Sequence, residues 1–247
     1  VVAVIGLGLV GGSLARALTR ARYTVVGVDR PAVARRALRM GAVARAAATV
    51  ERAVSAADLV VLAATPRANL RLLKRVARAA PDVLVTDTGS VKGPIVRAAA
   101  ALRVRRFIGG HPMAGSERSG LAASDENLFR GRPWVLTPLR ASARDMALLR
   151  RVVRDAGARP VTMRPEEHDR TVAFLSHVPQ LVAWALSDAA RRDRVAGRRL
   201  AVAGPGFRDM TRLARSPRRL WREILDENRD EVRTALGALS RELARSR

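Results

Sequence analysis

Three glycines near the start limit what this chain can become. Val1-Val2-Ala3-Val4-Ile5 is an apolar run of strand length. Gly6-Leu7-Gly8-Leu9-Val10-Gly11 follows at once, and residues 11–20 carry helical spacing. In G-x-G-x-x-G between strand and helix, the first glycine allows a tight turn. The second lets backbone approach a pyrophosphate, and the third lets helix pack on strand. The helix N-terminus adds amides and the positive end of its dipole. A second predicted strand, residues 24–28, leads into Asp29, 18 residues past Gly11. A carboxylate there accepts both ribose hydroxyls of a dinucleotide and repels a 2′-phosphate. Gly6, Leu7, Gly8, Leu9, Val10, Gly11 and Asp29 are therefore candidate cofactor-binding residues, with NAD the expected cofactor. Arg30 joins them: a guanidinium there suits a 2′-phosphate, so NADP stays open.

The pattern continues in the same style. Residues 32–40 read as a helix stopped by Gly41, residues 59–63 and 83–86 as buried strands, and residues 69–79 as the helix between them. Short strands at 107–109 and 134–136 extend the series. Strands alternating with helices give an α/β class: a doubly wound parallel sheet of Rossmann type. Past Thr162 the strand signals stop. Residues 166–192 read as one long helix kinked at Pro179. Gly204-Pro205-Gly206 breaks the chain, and helical patterns resume beyond it. The expected division is 1–163 for the nucleotide-binding domain and 164–247 for an all-helical domain, small enough to be completed by dimerisation.

Charge needs a separate reading. Lys and Arg total 46 against 22 Asp and Glu, a net +24. Nucleic acid or an acidic membrane is the usual partner of such a balance. Yet 48% of residues are hydrophobic, too many for a disordered basic tail. Only Lys74 and Lys92 are lysines; the arginines are spread among many alanines with no compact run. That is compositional bias rather than a footprint, so neither nucleic acid nor membrane is an expected partner. With no cysteine, disulfides, thiolate metal sites and cysteine nucleophiles are excluded. No apolar run approaches the roughly 20 residues that span a bilayer. The first residues carry no charged-then-apolar leader pattern, and a cytoplasmic location is expected.

The chemistry-bearing residues gather in two loops. There are three histidines, His111, His168 and His177. His111 opens His111-Pro112-Met113-Ala114-Gly115-Ser116-Glu117 after one strand, and Thr86-Asp87-Thr88-Gly89-Ser90-Val91-Lys92-Gly93 follows another. Ligands of open α/β sheets lie beyond the carboxyl ends of strands, so both loops should converge on the cofactor's reactive end. Oxidising an alcohol needs a base for the hydroxyl proton, and neutral imidazole suits that near pH 7. His168, in Glu166-Glu167-His168-Asp169, reads as surface. Two adjacent acids cannot face one ion from one helix side, so no metal is expected there.

These stretches, with FLSHVPQLVAWAL and GPGFRDMTRLA further on, resemble the prephenate/arogenate dehydrogenase family of tyrosine biosynthesis. The likeness runs in order from Val1 to about Ala214. It implies a Rossmann domain followed by a helical dimerisation domain, hence a homodimer. It also implies a reaction: NAD+ takes hydride from C4 of a cyclohexadienol while the ring carboxylate leaves as CO2. By motif match His111 accepts a hydrogen bond or proton from the C4 hydroxyl. Ser90 bonds the same hydroxyl and orients the histidine. Glu117 stands at the edge of the substrate pocket, His177 faces the cleft from the second domain, and Arg212 binds a substrate carboxylate. A dianionic small-molecule substrate needs such a cation, which grips a carboxylate with two bonds. Some members carry a further histidine where this chain has Gln180. No appended regulatory domain is expected.

Two other readings stand beside this one. A related Rossmann dehydrogenase could act on an aminodeoxy analogue of prephenate or on a 3-hydroxy acid. The 3-hydroxy-acid enzymes use a lysine on the second domain, and no lysine lies beyond Lys92. A basic NAD-sensing protein that binds nucleic acid would need clustered arginines.

Overall fold

The computed structural model describes residues 1–246. They form two compact units, Val1–His168 and residues 169–246. In the first, β1 (Val2–Ile5), α1 (Leu9–Arg20), β2 (Val25–Val28), α2 (Pro31–Arg39) and a two-residue β3 (Arg45–Ala46) come first. Then follow α3 (Val50–Val54), β4 (Leu59–Leu62), α4 (Pro66–Ala79), β5 (Leu84–Asp87), α5 (Gly93–Ala101) and β6 (Phe107–Pro112). β7 (Pro133–Arg140), α6 (Ala143–Asp155) and β8 (Arg159–Thr162) complete the sheet. Its strand order is β3-β2-β1-β4-β5-β6-β7-β8, parallel throughout except where β6 meets β7. The α/β class and the doubly wound sheet are as expected.

The strands are apolar on both sides because both sheet faces are covered. Val2 and Val4 point to a layer with Leu14, Leu18, Phe129, Trp134, Leu149 and Val152. Ala3 and Ile5 point to the opposite layer with Leu73, Val76, Ile95 and Phe107. Chain order reverses between β1, which continues to β2, and its other neighbour β4. Beyond that point lies the crevice where open α/β sheets bind ligands.

Several elements differ from expectation. β6 and β7 run longer than the predicted 107–109 and 134–136, because their antiparallel pairing carries the register from Phe107–Arg140 to Pro112–Trp134. β8 lacks an apolar run: Arg159, Val161 and Thr162 are exposed, as an edge strand with a proline permits. The two-residue β3 is likewise exposed. α6 is held by a capping box, Ser142 receiving the Asp145 amide and Asp145 the Ser142 amide.

α7 (Pro165–Val172) carries the chain into the second unit. Where one helix kinked at Pro179 was expected, the coil widens into a π turn over Ala173–His177, and α8 (Val178–Arg192) begins after it. Pro179 sits in the first turn of α8, where its missing N–H costs nothing. The irregularity therefore precedes the proline. α9 (Pro205–Thr211), α10 (Arg218–Glu227) and α11 (Arg229–Arg245) follow. The core of this unit is small: Ala173, Val178, Val232 and Ala235, with Leu181, Val182, Leu225 and Leu239 around them. Among the described residues no helix is long and apolar enough to cross a membrane.

Candidate active site

The glycine turn adopts the conformation its sequence demands. Gly6 has φ +99°, and a Cβ there would lie 2.7 Å from the Ala63 carbonyl carbon at the end of β4. Only glycine fits both the backbone angle and that approach. A Cβ on Gly8 would point into open space, so the turn is uncovered where a pyrophosphate would approach. Gly8 is also the N-cap of α1 and has no side chain to satisfy its first amides. Asp29 at the tip of β2 accepts the Leu7 amide at 2.7 Å through one carboxylate oxygen. The other accepts the Arg30 amide, also at 2.7 Å. The acid is thus locked to the glycine turn and held at the ribose position. Arg30 itself is exposed, its Nε 3.8 Å from the Asp29 carboxylate. These residues fit a dinucleotide.

A buried ion pair welds the two loops together. Lys92 and Asp87 are 0% and 1% exposed and bonded to one another. Lys92 Nζ also donates to the Gly110 carbonyl at 2.6 Å. Asp87 accepts the Gly110 amide at 3.0 Å and the Gly89 amide at 2.7 Å. Both polar groups of Gly110, the residue before His111, are therefore held by residues flanking Ser90. Gly110 has no room for a side chain: its Cβ would strike the Asp87 carbonyl and stand 2.9 Å from Thr86 Oγ1. The half-buried Ser90 is carried on a loop pinned to the strand that carries His111.

His111 is buried near the end of β6, and its Nδ1 lies 2.8 Å from His168 Nε2. The rings meet edge to face, 5.0 Å between centroids. The surface reading of His168 is thus overturned: it is completely buried. The missed signal was helical spacing, since His168 falls four residues before the buried Val172, among charged neighbours that hid the face. Asp87 and Lys92 were likewise visible only as members of a motif. Glu117 is exposed on the loop after β6.

The other candidates belong to the second unit. His177 is buried beside Trp221, and its Nδ1 accepts from Asn228 Nδ2 at 3.1 Å. The same amide group donates to the Asp169 carbonyl. Accepting at Nδ1 puts the His177 proton on Nε2. Arg212 is exposed, and it lines a concavity with Arg191, Arg208, Arg215 and Phe207. Buried Gln180 donates to the Leu213 carbonyl at 2.8 Å, bracing the turn beside Arg212. Among the described residues no group of three or more His, Asp or Glu could hold a metal.

Fold and site together describe a two-unit protein with a dinucleotide turn on one sheet and a buried histidine pair at the same sheet's strand ends. The model of the nucleotide-binding domain of prephenate dehydrogenase matches residues 14–162, and that of its dimerization domain matches residues 164–247. The chain belongs to the prephenate dehydrogenase family. The prephenate dehydrogenase of Bacillus subtilis (strain 168) is 35% identical over 238 residues, 92% of this chain. This chain spans 64% of that relative's length. The cyclohexadienyl dehydrogenase of Zymomonas mobilis is 35% identical, with 92% of this chain and 80% of that protein aligned. A crystal structure of prephenate dehydrogenase from A. aeolicus in complex with hydroxyphenyl propionate and NAD+ superposes with a TM-score of 0.92 at 32% identity. It covers 99% of this chain and 88% of its own. Synechocystis arogenate dehydrogenase reaches 0.85 at 30%, covering 99% and 89%.

Proposed function

We propose that the chain is an NAD-dependent dehydrogenase that converts prephenate to 4-hydroxyphenylpyruvate, or arogenate to tyrosine, with loss of CO2. The observation that carries this is His111, buried at the end of β6 beside an ion pair that fixes its backbone, in a chain of this family. Asp29, locked to the glycine turn, favours NAD over NADP. When bound, NAD+ supplies the hydride acceptor. His111 accepts the hydrogen bond of the C4 hydroxyl and stabilises the positive charge that grows there as the C4–H bond breaks. Ser90 bonds the same oxygen and orients it. Arg212 is assigned to a substrate carboxylate, and Glu117 and His177 are each assigned a substrate contact. Aromatisation drives the step as the C1–carboxylate bond breaks and its electrons enter the ring, so the protein mainly positions and polarises.

The functional boundary is taken at Met163. The working form is taken as a homodimer, in keeping with the matched dimerization domain and with a small helical core that leaves Leu175, Val195, Val202 and Leu243 exposed. The protein is taken to act in the cytoplasm on a small molecule. The test is a set of four initial rates: prephenate and arogenate, each with NAD+ and NADP+, read as reduced nicotinamide. At least one substrate should be turned over, faster with NAD+. No reduction in any of the four would refute the proposal.

A further inference from the structure

The pairing of His111 with His168 has chemical content beyond packing. With both rings neutral, one N–H lies between His111 Nδ1 and His168 Nε2, and the other nitrogen accepts it. Which ring donates decides the form of His111. If His168 donated, His111 would carry its own proton on Nε2 and could only donate from that atom. If His111 donates, its Nε2 keeps a lone pair and can accept from a substrate hydroxyl. His168 is fully buried, and its backbone amide bonds the Arg164 carbonyl at 2.9 Å, so the helix holds its ring in place against His111. Asp87 and Lys92 bond each other and Gly110, the residue before His111, and so hold the backbone that carries the ring.

We infer that His168 is a positioning residue that accepts the Nδ1–H of His111 and so holds His111 in the tautomer with an unprotonated Nε2. His168 then carries its proton on Nδ1. When positive charge develops on His111, the same bond becomes charge-assisted and shorter, so His168 also steadies the imidazolium. Such an arrangement does for this histidine what a buried carboxylate does for the base of a serine hydrolase, without adding a negative charge beside an anionic substrate.

Its kinetic consequence rests on the dehydrogenase reading above; the tautomer itself does not. The whole chain contains three histidines, so the protein labelled with 15N-histidine gives three imidazoles to assign. The assignment uses His168→Gln and His177→Gln. Spectra are taken well above the ordinary histidine pKa of about 6.5, so that the rings are neutral. The expected result is protonation of His111 at Nδ1 and of His168 at Nδ1 in the unaltered protein. Replacing His168 by Leu should move the His111 proton to Nε2, and replacing it by Gln, which offers an oxygen acceptor, should keep it on Nδ1. Turnover should fall about 100-fold in His168→Leu and recover most of that loss in His168→Gln, with NAD+ affinity unchanged in both. His111 protonated at Nε2 in the unaltered protein would overturn the inference, as would a tautomer indifferent to loss of the acceptor. Those two results need no substrate, so they stand apart from a failure of turnover on prephenate and arogenate.

Discussion

At the scale of single residues, the candidate site is held together by a buried lysine. Lys92 is fully buried, and its charge is tolerated because Asp87 and the Gly110 carbonyl surround it. Removing one member of such a pair leaves the other as an unpaired buried charge. We expect Lys92→Met to cost about 3–5 kcal/mol in urea-unfolding free energy, with Asp87→Asn/Lys92→Met costing less than the sum of the single changes. Purely additive losses would remove the pair from the account. His111 should behave differently. His111→Asn should lower turnover by about 10²–10⁴-fold while NAD+ affinity, measured by titration, barely moves. His111 and Ser90 were legible because short motifs name them. His168 was not, because a histidine between charged residues looks solvated until the helix face it shares with Val172 is known.

At the scale of elements, the glycine turn was legible in full, because backbone geometry alone dictates Gly6 and Gly8. The edge was not: β8 has no apolar run to announce it, and the π turn before Pro179 has no sequence signal of its own. α6 carries a separate pH signature. Asp145 accepts from Arg106 and from the Ser142 amide, and the Arg106 hydrogen bond leads in pulling its pKa from 3.8 down to about 2. A carboxylate depressed on folding stabilises above its unfolded pKa, and that gain is lost as pH falls through its folded pKa. Stability should therefore decline between about pH 4 and pH 2 by about 1–2 kcal/mol from this group, discounted because Arg106 is partly exposed. Asp145→Asn should flatten that part of the unfolding profile. An unchanged profile would mean that another carboxylate governs it.

At the scale of the whole molecule, the +24 charge is not explained by the fold, which is set by apolar patterning. The proposed function gives it a use all the same: a dianionic substrate and an anionic cofactor would both be drawn towards a basic protein. We expect kcat/KM for substrate to fall as NaCl is raised while kcat stays nearly constant, because screening weakens encounter and not the buried site. Salt-independent kcat/KM would confine the charge to composition. The central claim is that oxidation at C4 and loss of the ring carboxylate are one event. The most direct measurement is the simultaneous release of CO2 and NADH from substrate labelled in its ring carboxylate, in a single progress curve. We expect one CO2 for each NADH at every time point. NADH formed without CO2, or CO2 released without NADH, would contradict it.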